Sequence, residues 1–448
     1  MQPEKQSVEV AEMPKQTEGN QRWSWVKPCA WTTRMLMALE KGVKGGKWFS
    51  LIDKIHARKN LDAAFEAVRK NKGAPGVDQV TVEQYGERRE ENLSRLEQQL
   101  RTGTYQPQAI RRKYIQKLGS SELRPLGIPT VRDRTVQAAV KQVIEPIFER
   151  QFAECSYGFR PQRGCKEALR EVDKLLKAGY AYVVDVDIKG YFDSIPHEKL
   201  MGCIEEHIAD ARVLELVQQF LKQGVLEEMR DWSPDMGTPQ GGVISPLLAN
   251  IYLDNLDHEM TNAGYRMVRY ADDMVVLCGT QEHAEQAMAK VKAWMDGATL
   301  TLHPTKTRTV DMTQGGAEFE FLGYRFLRTQ KTKRLFRGPR PKSVKKLRAS
   351  IRKHTKRGNG NSLEHVIKKV NQVLRGWHGY FKHSRVSALK SIDEWVRMRL
   401  RSILRRRCKR RGRGTGRDHQ RWPNSFFAVK KLFTLVTATN AIRQPALR

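Results

Sequence analysis

Apolar and polar residues follow two different periods along the chain, and each period predicts one kind of element. Helical spacing runs through "LDAAFEAVRKNKGAPGVDQVT" and through "LRPLGIPTVRDRTVQAAVKQVIEPIFERQF", where a loop leads into a long helix. The apolar run in "YAYVVDVDIKGYFDSI" predicts a buried strand, and "GTPQGGVISPLLANIYLDNLDHEM" predicts a Gly-rich loop that opens a helix. Because strands and helices alternate irregularly, we predict an α+β fold rather than a doubly wound sheet.

The stretch "VRYADDMVVLC", from Val268 to Cys278, has two β-forming runs separated by a pair of aspartates. It predicts a strand, a tight turn and a second strand, with Asp272 and Asp273 at the bend. One Asp suits a turn, but two adjacent carboxylates repel each other unless a cation lies between them. Taken by itself, such a pair favours an ordinary turn.

Two more aspartates, Asp185 and Asp187, lie on the preceding strand and share one of its faces because they are two residues apart. Carboxylates from the strand and the hairpin would form an all-oxygen site, which favours Mg²⁺ or Mn²⁺ over zinc. Two such ions, roughly 3.5–4 Å apart, form the clamp that polymerases and nucleases use for displacement at phosphorus. These carboxylates therefore indicate phosphoryl-transfer chemistry.

The charge of the chain indicates a polyanionic partner. Its 448 residues include 81 Lys and Arg against 49 Asp and Glu, a net charge of +32, and nucleic acid is the leading candidate. A membrane surface is the competing candidate, but no apolar run approaches the ~18 residues of a spanning helix, and the N-terminus has no signal-peptide core. We expect a cytosolic protein of the bacterial type, with association with the nucleoid left open, and no membrane partner.

The six cysteines are scattered without metal-ligand spacing, so we expect free thiols rather than structural zinc or disulfides.

Composition divides the chain into five predicted regions. Residues 1–20 are polar and predict a disordered tail, and residues 21–60 form a basic, aromatic extension. Residues 61–330 carry the strand and helix patterns described above, residues 331–415 a basic helical region, and residues 416–448 a short basic tail. In the extension, Trp side chains among Lys and Arg suit either base stacking or a small helix packed on the main body, and both alternatives stay open.

The basic helical region combines "RGWHGYF" with "RSILRRRCKRRGR", in which eight of thirteen residues are Lys or Arg. A charge run is usually a solvated face, but the neighbouring aromatic residues, His378 and Phe381 among them, favour RNA read by phosphate contacts and stacking. The predicted RNA-binding residues are Arg375, Trp377, Tyr380, Arg405, Arg406 and Arg407.

The motif "YADD" inside an apolar hairpin resembles the palm signature of reverse transcriptases, and "VVDVDIKGYFDSI" and "GTPQGGVISPLLANIYL" resemble their acidic strand and their template and nucleotide loop. Taken in order, "LRPLGIPTVRDRTVQAAV", "SYGFRPQRGCKEAL" and "FLGYRF" resemble the group II intron-encoded subclass, and "VNQVLRGWHGYFKHS" resembles its maturase region. The resemblance covers roughly residues 51–400. It implies a right-hand-like polymerase, with fingers and an antiparallel palm sheet followed by an α-helical thumb or maturase domain.

The resemblance also implies the roles of individual residues. Asp187, Asp272 and Asp273 would be the catalytic residues and the ligands of two Mg²⁺ ions, with Mn²⁺ as the alternative. Phe192, five residues after Asp187, would close against the 2′-hydroxyl and so select dNTPs.

Three further residues, Lys117, Arg124 and Gln240, would contact the incoming nucleotide, with Gly241 and Gly242 allowing the backbone to approach it. Arg160 in "YGFRP" would pair with template or dNTP, or form a structural salt bridge.

The sequence therefore predicts an RNA-directed DNA polymerase that binds its intron RNA, assists splicing and copies the RNA into cDNA from a DNA primer or target, using dNTPs. The alternatives are a non-catalytic RNA-binding splicing factor, and a reverse transcriptase of a defence or diversity-generating system. Many relatives end in an HNH endonuclease built on paired cysteines, and only Cys408 follows Cys278 here. We expect the endonuclease to be absent and the primer to be made elsewhere, for example as a nascent strand at a replication fork.

Overall fold

The structure is a computed structural model that describes residues 22–43, 45–116, 123–227, 230–232, 236–238, 240–358, 360–410, 412, 414 and 416–443, with side chains except at 124, 226, 227 and 230–232. The predicted tail at residues 1–20 lies outside the described residues. Across the ranges that the structure describes, a mixture of helices and largely antiparallel sheets, with one parallel pair of strands (Ile110–Gln116 and Val225–Glu227), confirms the α+β prediction.

The first half of the chain is helical before it enters a sheet. Its elements are α1 (Thr33–Lys41), α2 (Ile52–His56), α3 (Arg58–Asn71), α4 (Val82–Glu87), α5 (Arg89–Thr102), β1 (Ile110–Gln116), β2 (Leu123–Ile128), α6 (Val131–Gln151) and α7 (Cys165–Lys177). The long helix α6 begins where the Thr130 side chain accepts a hydrogen bond from the Asp133 amide, and it is buried over most of its length. It packs against α3 and forms the centre of the largest apolar core.

The middle of the chain alternates strands and helices. Its elements are β3 (Tyr182–Asp187), α8 (Tyr191–Ser194), α9 (His197–Glu205), α10 (Ala211–Leu221), β4 (Val225–Glu227), β5 (Arg230–Trp232), α11 (Ser245–Asn262), β6 (Arg266–Tyr270), β7 (Asp273–Cys278), α12 (Gln281–Gly297) and β8 (Arg308–Asp311). The remainder consists of β9 (Glu318–Phe321), β10 (Tyr324–Arg328), β11 (Leu335–Pro339), α13 (Pro341–His354), α14 (Leu363–Phe381), α15 (Val386–Arg407), α16 (Gly416–Arg421), α17 (Asn424–Val429) and α18 (Leu435–Arg443).

The basic, aromatic extension packs on the main body. Trp23 and Trp31 are buried in the largest core, and the Trp31 indole donates a hydrogen bond to the carbonyl of Val143 in α6 at 3.1 Å. For these two Trp side chains the structure therefore shows packing on the main body rather than exposure for base stacking.

Two sheets position the candidate site. The fingers sheet has the order β2-β1-β4-β5, and the palm sheet has the order β6-β7-β3-β8. In the palm sheet β3 pairs antiparallel with both β7 and β8. One face of its apolar strands packs against α11 and α12, and the other face against α7, β9 and β10. This double coverage explains why the strands are nearly continuous apolar runs.

The region after residue 330 departs from the predicted boundaries. Strand β11 pairs with β10 across that point, so the third sheet, β11-β10-β9, ends at Pro339 and the helices start at Pro341. The segment expected to be a basic tail forms α16, α17 and α18, whose Trp422, Phe427 and Leu435 are buried against α13, α14 and α15. The shift in composition thus marks a change in surface charge rather than the end of a packed unit.

The six cysteines are free thiols, as predicted. No helix among the described residues combines the length and the apolar character that crossing a membrane requires.

Candidate active site

The predicted strand–turn–strand is confirmed, and it brings the aspartates together. Residues Ala271 and Asp272 form the turn between β6 and β7, and Asp273 is the first residue of β7. In the ladder with β3, Asp273 lies directly opposite Asp187. Directly opposed residues of an antiparallel pair have Cβ atoms about 4.5–5.5 Å apart. The three predicted catalytic residues therefore meet at one end of the palm sheet.

Negative charge is concentrated at this end. Burial, together with the carboxylates of Asp185 and Asp272, raises the pKa of Asp273 to about 7. Burial likewise raises the pKa of Asp185 to about 6, although Arg308 opposes that shift. Raised values in a cluster of acids mean that the ionised carboxylates lack sufficient positive charge nearby. Such a field attracts a divalent cation.

Lys306 supplies part of the missing charge, and the sequence analysis did not single it out. Its ammonium lies 3.1 and 3.2 Å from the two carboxylate oxygens of Asp187, 119 positions away along the chain. Both side chains are substantially exposed, so the pair contributes little to stability and a stronger cation can displace it. Only the tertiary fold brings "HPTKT" beside β3, so no sequence signal marked this contact.

The donor set fits a hard divalent ion. Asp187, Asp272 and Asp273 offer only carboxylate oxygens, which Mg²⁺ and Mn²⁺ prefer. No group of three or more His, Cys, Asp or Glu side chains arranged to hold a metal occurs in the described part of the chain. Asp187 pairs with Lys306 instead. The three carboxylates therefore offer the oxygen ligands that such an ion prefers, but they are not arranged around a single metal position.

Phe192 lies in α8, on the short segment that follows β3. It is 9% exposed, and its ring packs against Tyr191 with centroids 5.6 Å apart. The backbone amide of Thr238 donates to the Phe192 carbonyl at 2.6 Å, which fixes α8 against the loop that carries Gln240. The residue thus contributes to the core, and its predicted contact with the sugar stays a prediction.

Gln240 lines a cavity of about 280 Å³ between the fingers sheet and α8. Its side-chain amide donates to the carboxylate of Asp193 at 3.0 Å. Asp193, Arg112 and Met236 also line the cavity, whereas the three aspartates predicted to be catalytic do not.

The predicted role of Gly241 needs correction. Its φ is +118°, and a Cβ there would lie 2.2 Å from the carbonyl oxygen of Gly127. The close approach that requires glycine is therefore to the backbone of β2 rather than to a nucleotide. A hydrogen bond from the Gly127 amide to the Gln240 carbonyl at 2.7 Å ties the same two segments together.

Two predicted nucleotide contacts cannot be placed. Lys117 lies outside the described residues, and of Arg124 the structure describes only the backbone, paired with Ile115 in the ladder of β1 and β2.

Arg160 forms a structural salt bridge. Its guanidinium is buried and makes two-pronged contacts of 2.8–3.1 Å with Glu149, and it also donates to the carbonyls of Ala153 and Ser156. These contacts settle the choice that the sequence left open, because its donors already bind protein.

The predicted RNA-binding aromatics pack inside the protein. The Tyr380 hydroxyl donates to the Leu322 carbonyl at 2.7 Å, and Trp377 stacks on Phe381 with centroids 4.4 Å apart. His378 is buried against Thr439. These rings join the third sheet to the thumb helices, and their predicted stacking on RNA stays a prediction.

The predicted RNA-binding arginines differ from one another. Arg405 pairs at 2.6 Å with Asp418, whose side chain is only 1% exposed, so it acts structurally. Arg375 lies over the Phe433 ring with its side chain exposed. Arg406 and Arg407 are exposed at the end of α15, where Arg407 donates to the Asn361 carbonyl.

Comparisons with known proteins agree with this architecture. Residues 115–326 match the family model for reverse transcriptase (RNA-dependent DNA polymerase), and residues 344–422 match the group II intron maturase-specific domain. The first match contains the palm sheet with all four aspartates and the fingers strands β2, β4 and β5, and the second contains most of α13 and all of α14 to α16.

Curated relatives of this chain include proteins named for introns. The chain is 44% identical over 196 residues to the group II intron-encoded protein LtrA of Lactococcus lactis, which covers 43% of this chain and 32% of LtrA. It is 28% identical over 374 residues to an uncharacterised 91 kDa protein in a cob intron of Schizosaccharomyces pombe, covering 65% of this chain and 46% of that protein. The chain thus spans about a third of LtrA.

A further relative is matched over most of its length. Protein YkfC of Escherichia coli is 35% identical over 299 residues, which is 58% of this chain and 77% of YkfC. With the two domain models in the order that the motifs indicate, this chain belongs to the family of group II intron-encoded reverse transcriptase–maturases.

Proposed function

We propose that this protein is an RNA-directed DNA polymerase that binds a group II intron RNA, assists its splicing and copies it into cDNA. The observation that carries the proposal is the pairing of Asp187 with Asp273 beside Asp272, at the end of a palm sheet that belongs to the reverse transcriptase match. A maturase-specific domain follows in the same chain. That second domain favours an intron RNA over the substrates of defence or diversity-generating systems.

Asp187, Asp272 and Asp273 would hold two divalent ions. When bound, Mg²⁺ would lower the pKa of the attacking hydroxyl and neutralise charge on the leaving pyrophosphate. The raised pKa values of Asp273 and Asp185 support this assignment, because a cluster that resists ionisation alone gains most from a divalent cation. In the absence of the ions, Lys306 balances the negative charge of Asp187.

The nucleotide would be selected next to α8. Phe192 sits on the segment that follows the catalytic strand, and Gln240 lines the neighbouring cavity. The hydrogen bond from the Gln240 amide to Asp193 orients the side chain. We propose that this cavity borders the position of the incoming dNTP or its template partner.

The structure redirects the RNA-binding proposal to α13. One face of this helix buries Leu347 and Ile351 in the thumb core, and the opposite face exposes basic residues: Lys342, Lys345, Lys346 and Lys353. None of these four joins a salt bridge among the described residues. Unpaired ammonium groups on a helix face suit the phosphates of structured RNA.

Primer extension on an RNA template with the purified protein tests the proposal. Extension with dNTPs that requires Mg²⁺ or Mn²⁺, together with protein-dependent splicing of the intron RNA, is the expected result. Splicing without any extension, at every divalent ion concentration, would instead identify a non-catalytic splicing factor. Extension without any preference for intron RNA would point to another class of reverse transcriptase.

A further inference from the structure

A fully buried arginine lies next to the catalytic turn. Arg269 is on β6, two residues before Ala271 and Asp272 begin to reverse the chain, and both it and its partner Asp257 of α11 are 0% exposed. Its guanidinium donates through Nε to the two Asp257 oxygens at 2.7 and 3.0 Å, and through Nη2 to Oδ2 of the same carboxylate. Burial alone would lower the pKa of Arg269, but Asp257 raises it, so the side chain stays charged.

The remaining donor of Arg269 reaches the turn itself. Nη1 donates to the carbonyl oxygen of Ala271 at 3.1 Å and to the side-chain oxygen of Asn250 at 3.0 Å. The Asn250 amide in turn donates to the Gly158 carbonyl at 2.7 Å. A Cβ on Gly158 would lie 2.3 Å from the Ala271 nitrogen, so this glycine backbone touches the turn from the other side.

The turn needs such support because its backbone is strained. Ala271 has φ +58°, a left-handed conformation that costs a residue with a Cβ about 1 kcal/mol or more. It persists only when the surroundings fix it. The contacts on Ala271 from Arg269 and from Gly158 meet that requirement, and the residue they fix immediately precedes Asp272.

The stability of the core does not by itself explain why a charged side chain occupies position 269. Arg269 shares its strand face with Met267, which packs in the largest core, so an apolar side chain would suit the position. Exchanging a buried ion pair for apolar residues of similar volume is often neutral or stabilising. What an apolar residue cannot supply is a donor to the Ala271 carbonyl.

We propose that Arg269, oriented by Asp257 and Asn250, is a positioning residue that holds the turn so that Asp272 and Asp273 present their carboxylates to the divalent ions. This inference rests on the proposed function. It assigns no contact between Arg269 and substrate, and its effect passes through the Ala271 backbone.

The test separates positioning from stability. Arg269→Met combined with Asp257→Leu removes the donor while filling the core, and Arg269→Lys keeps the charge but loses the forked geometry. Mn²⁺ binding is measured by electron paramagnetic resonance on the full chain, with an RNA template, a dideoxy-terminated primer and dNTP, so that no chemistry occurs. Thermal unfolding, kcat and the KM for primer–template are measured in parallel.

The double variant should unfold near the wild-type temperature, bind Mn²⁺ about 10–100-fold more weakly, and lose kcat with an unchanged KM for primer–template. Arg269→Lys should shift the same quantities in the same direction. The matched control is Arg401→Met in the thumb, where a 3%-exposed arginine donates to the Trp422 carbonyl at 2.9 Å. It should lower the unfolding temperature without changing Mn²⁺ affinity.

Folded Arg269→Lys protein with wild-type Mn²⁺ affinity and kcat would overturn the inference, whether or not the double variant folds. If the wild-type complex itself neither binds Mn²⁺ nor extends an unblocked primer, the proposed function fails instead, so the two failures are distinguishable.

Discussion

The sequence predicts functional residues in both the palm and the thumb, and the structure gives these two sets of residues different surroundings. In the palm, Asp187, Asp272 and Asp273 meet where the motifs place them. In the thumb, Trp377, Tyr380 and Arg405 are engaged by protein groups, whereas three other predicted residues, Arg375, Arg406 and Arg407, are exposed. The helix α13 exposes further positive charge. A spacing within paired strands thus predicted which side chains meet, whereas a composition of aromatic and basic residues did not predict which of them face solvent.

The physical reason is geometric. Strand period and antiparallel pairing fix which residues face each other, so a short motif determines the relative positions of its side chains. An aromatic ring or an arginine is equally suited to RNA and to a protein core. Which role it takes depends on what the fold places beside it.

The largest effect is expected in the palm. Asp272→Asn removes a charge from the divalent-ion site and should reduce cDNA synthesis by at least about 10³-fold, measured by primer extension. Binding of intron RNA should not change, since it uses other surfaces. Asp296→Asn, at an exposed position of α12, serves as the control and should retain activity. Primer extension by Asp272→Asn at near the wild-type rate would contradict the assignment of Asp272 as a ligand of the divalent ions.

Phe192→Ala should act on both stability and sugar selection. Removing a ring that is 9% exposed should lower the free energy of unfolding by about 3–5 kcal/mol, and it should raise incorporation of rNTPs relative to dNTPs. A thermal melt and a mixed-nucleotide extension assay measure the two effects. Ile195→Ala, at a fully buried neighbour, should destabilise without altering selectivity. Unchanged selectivity in the Phe192 variant would leave that residue a core position only.

Arg405→Ala should behave as a core substitution in the thumb. It leaves Asp418, 1% exposed, without its ion-pair partner, so the free energy of unfolding should fall by on the order of 3 kcal/mol. Arg406→Ala, at an exposed position, should change the free energy of unfolding by less than about 0.5 kcal/mol. Equal stability of the two variants in chemical denaturation would contradict the distinction between them.

The smallest effect is expected on the face of α13. Lys345→Gln with Lys346→Gln should weaken binding of intron RNA and flatten the dependence of log affinity on log salt by about 2, roughly one per phosphate contact. The matched control is Lys174→Gln with Lys177→Gln, because these lysines already pair with Glu171 and Asp173. If both double variants flatten the slope equally, α13 is no more an RNA surface than any other basic helix.

The sequence by itself determined the α+β class, the hairpin and the facing aspartates. The apolar runs of β3 and β7 are buried on both faces, and the register in which the two strands pair sets Asp187 opposite Asp273. The boundaries drawn from composition were less informative, because β11 and α16 to α18 carry basic surfaces over buried apolar residues.

Only the tertiary structure decided which partners the remaining polar and aromatic residues have. Lys306 reaches Asp187 across 119 positions, and Tyr380 reaches the Leu322 carbonyl across 58. Arg269 is adjacent to the catalytic motif in sequence, yet its burial and its contact with the turn depend on Asp257 of another helix. Local periodicity encodes which way a side chain faces, whereas its partner is set by how distant elements pack, and no short pattern contains that information.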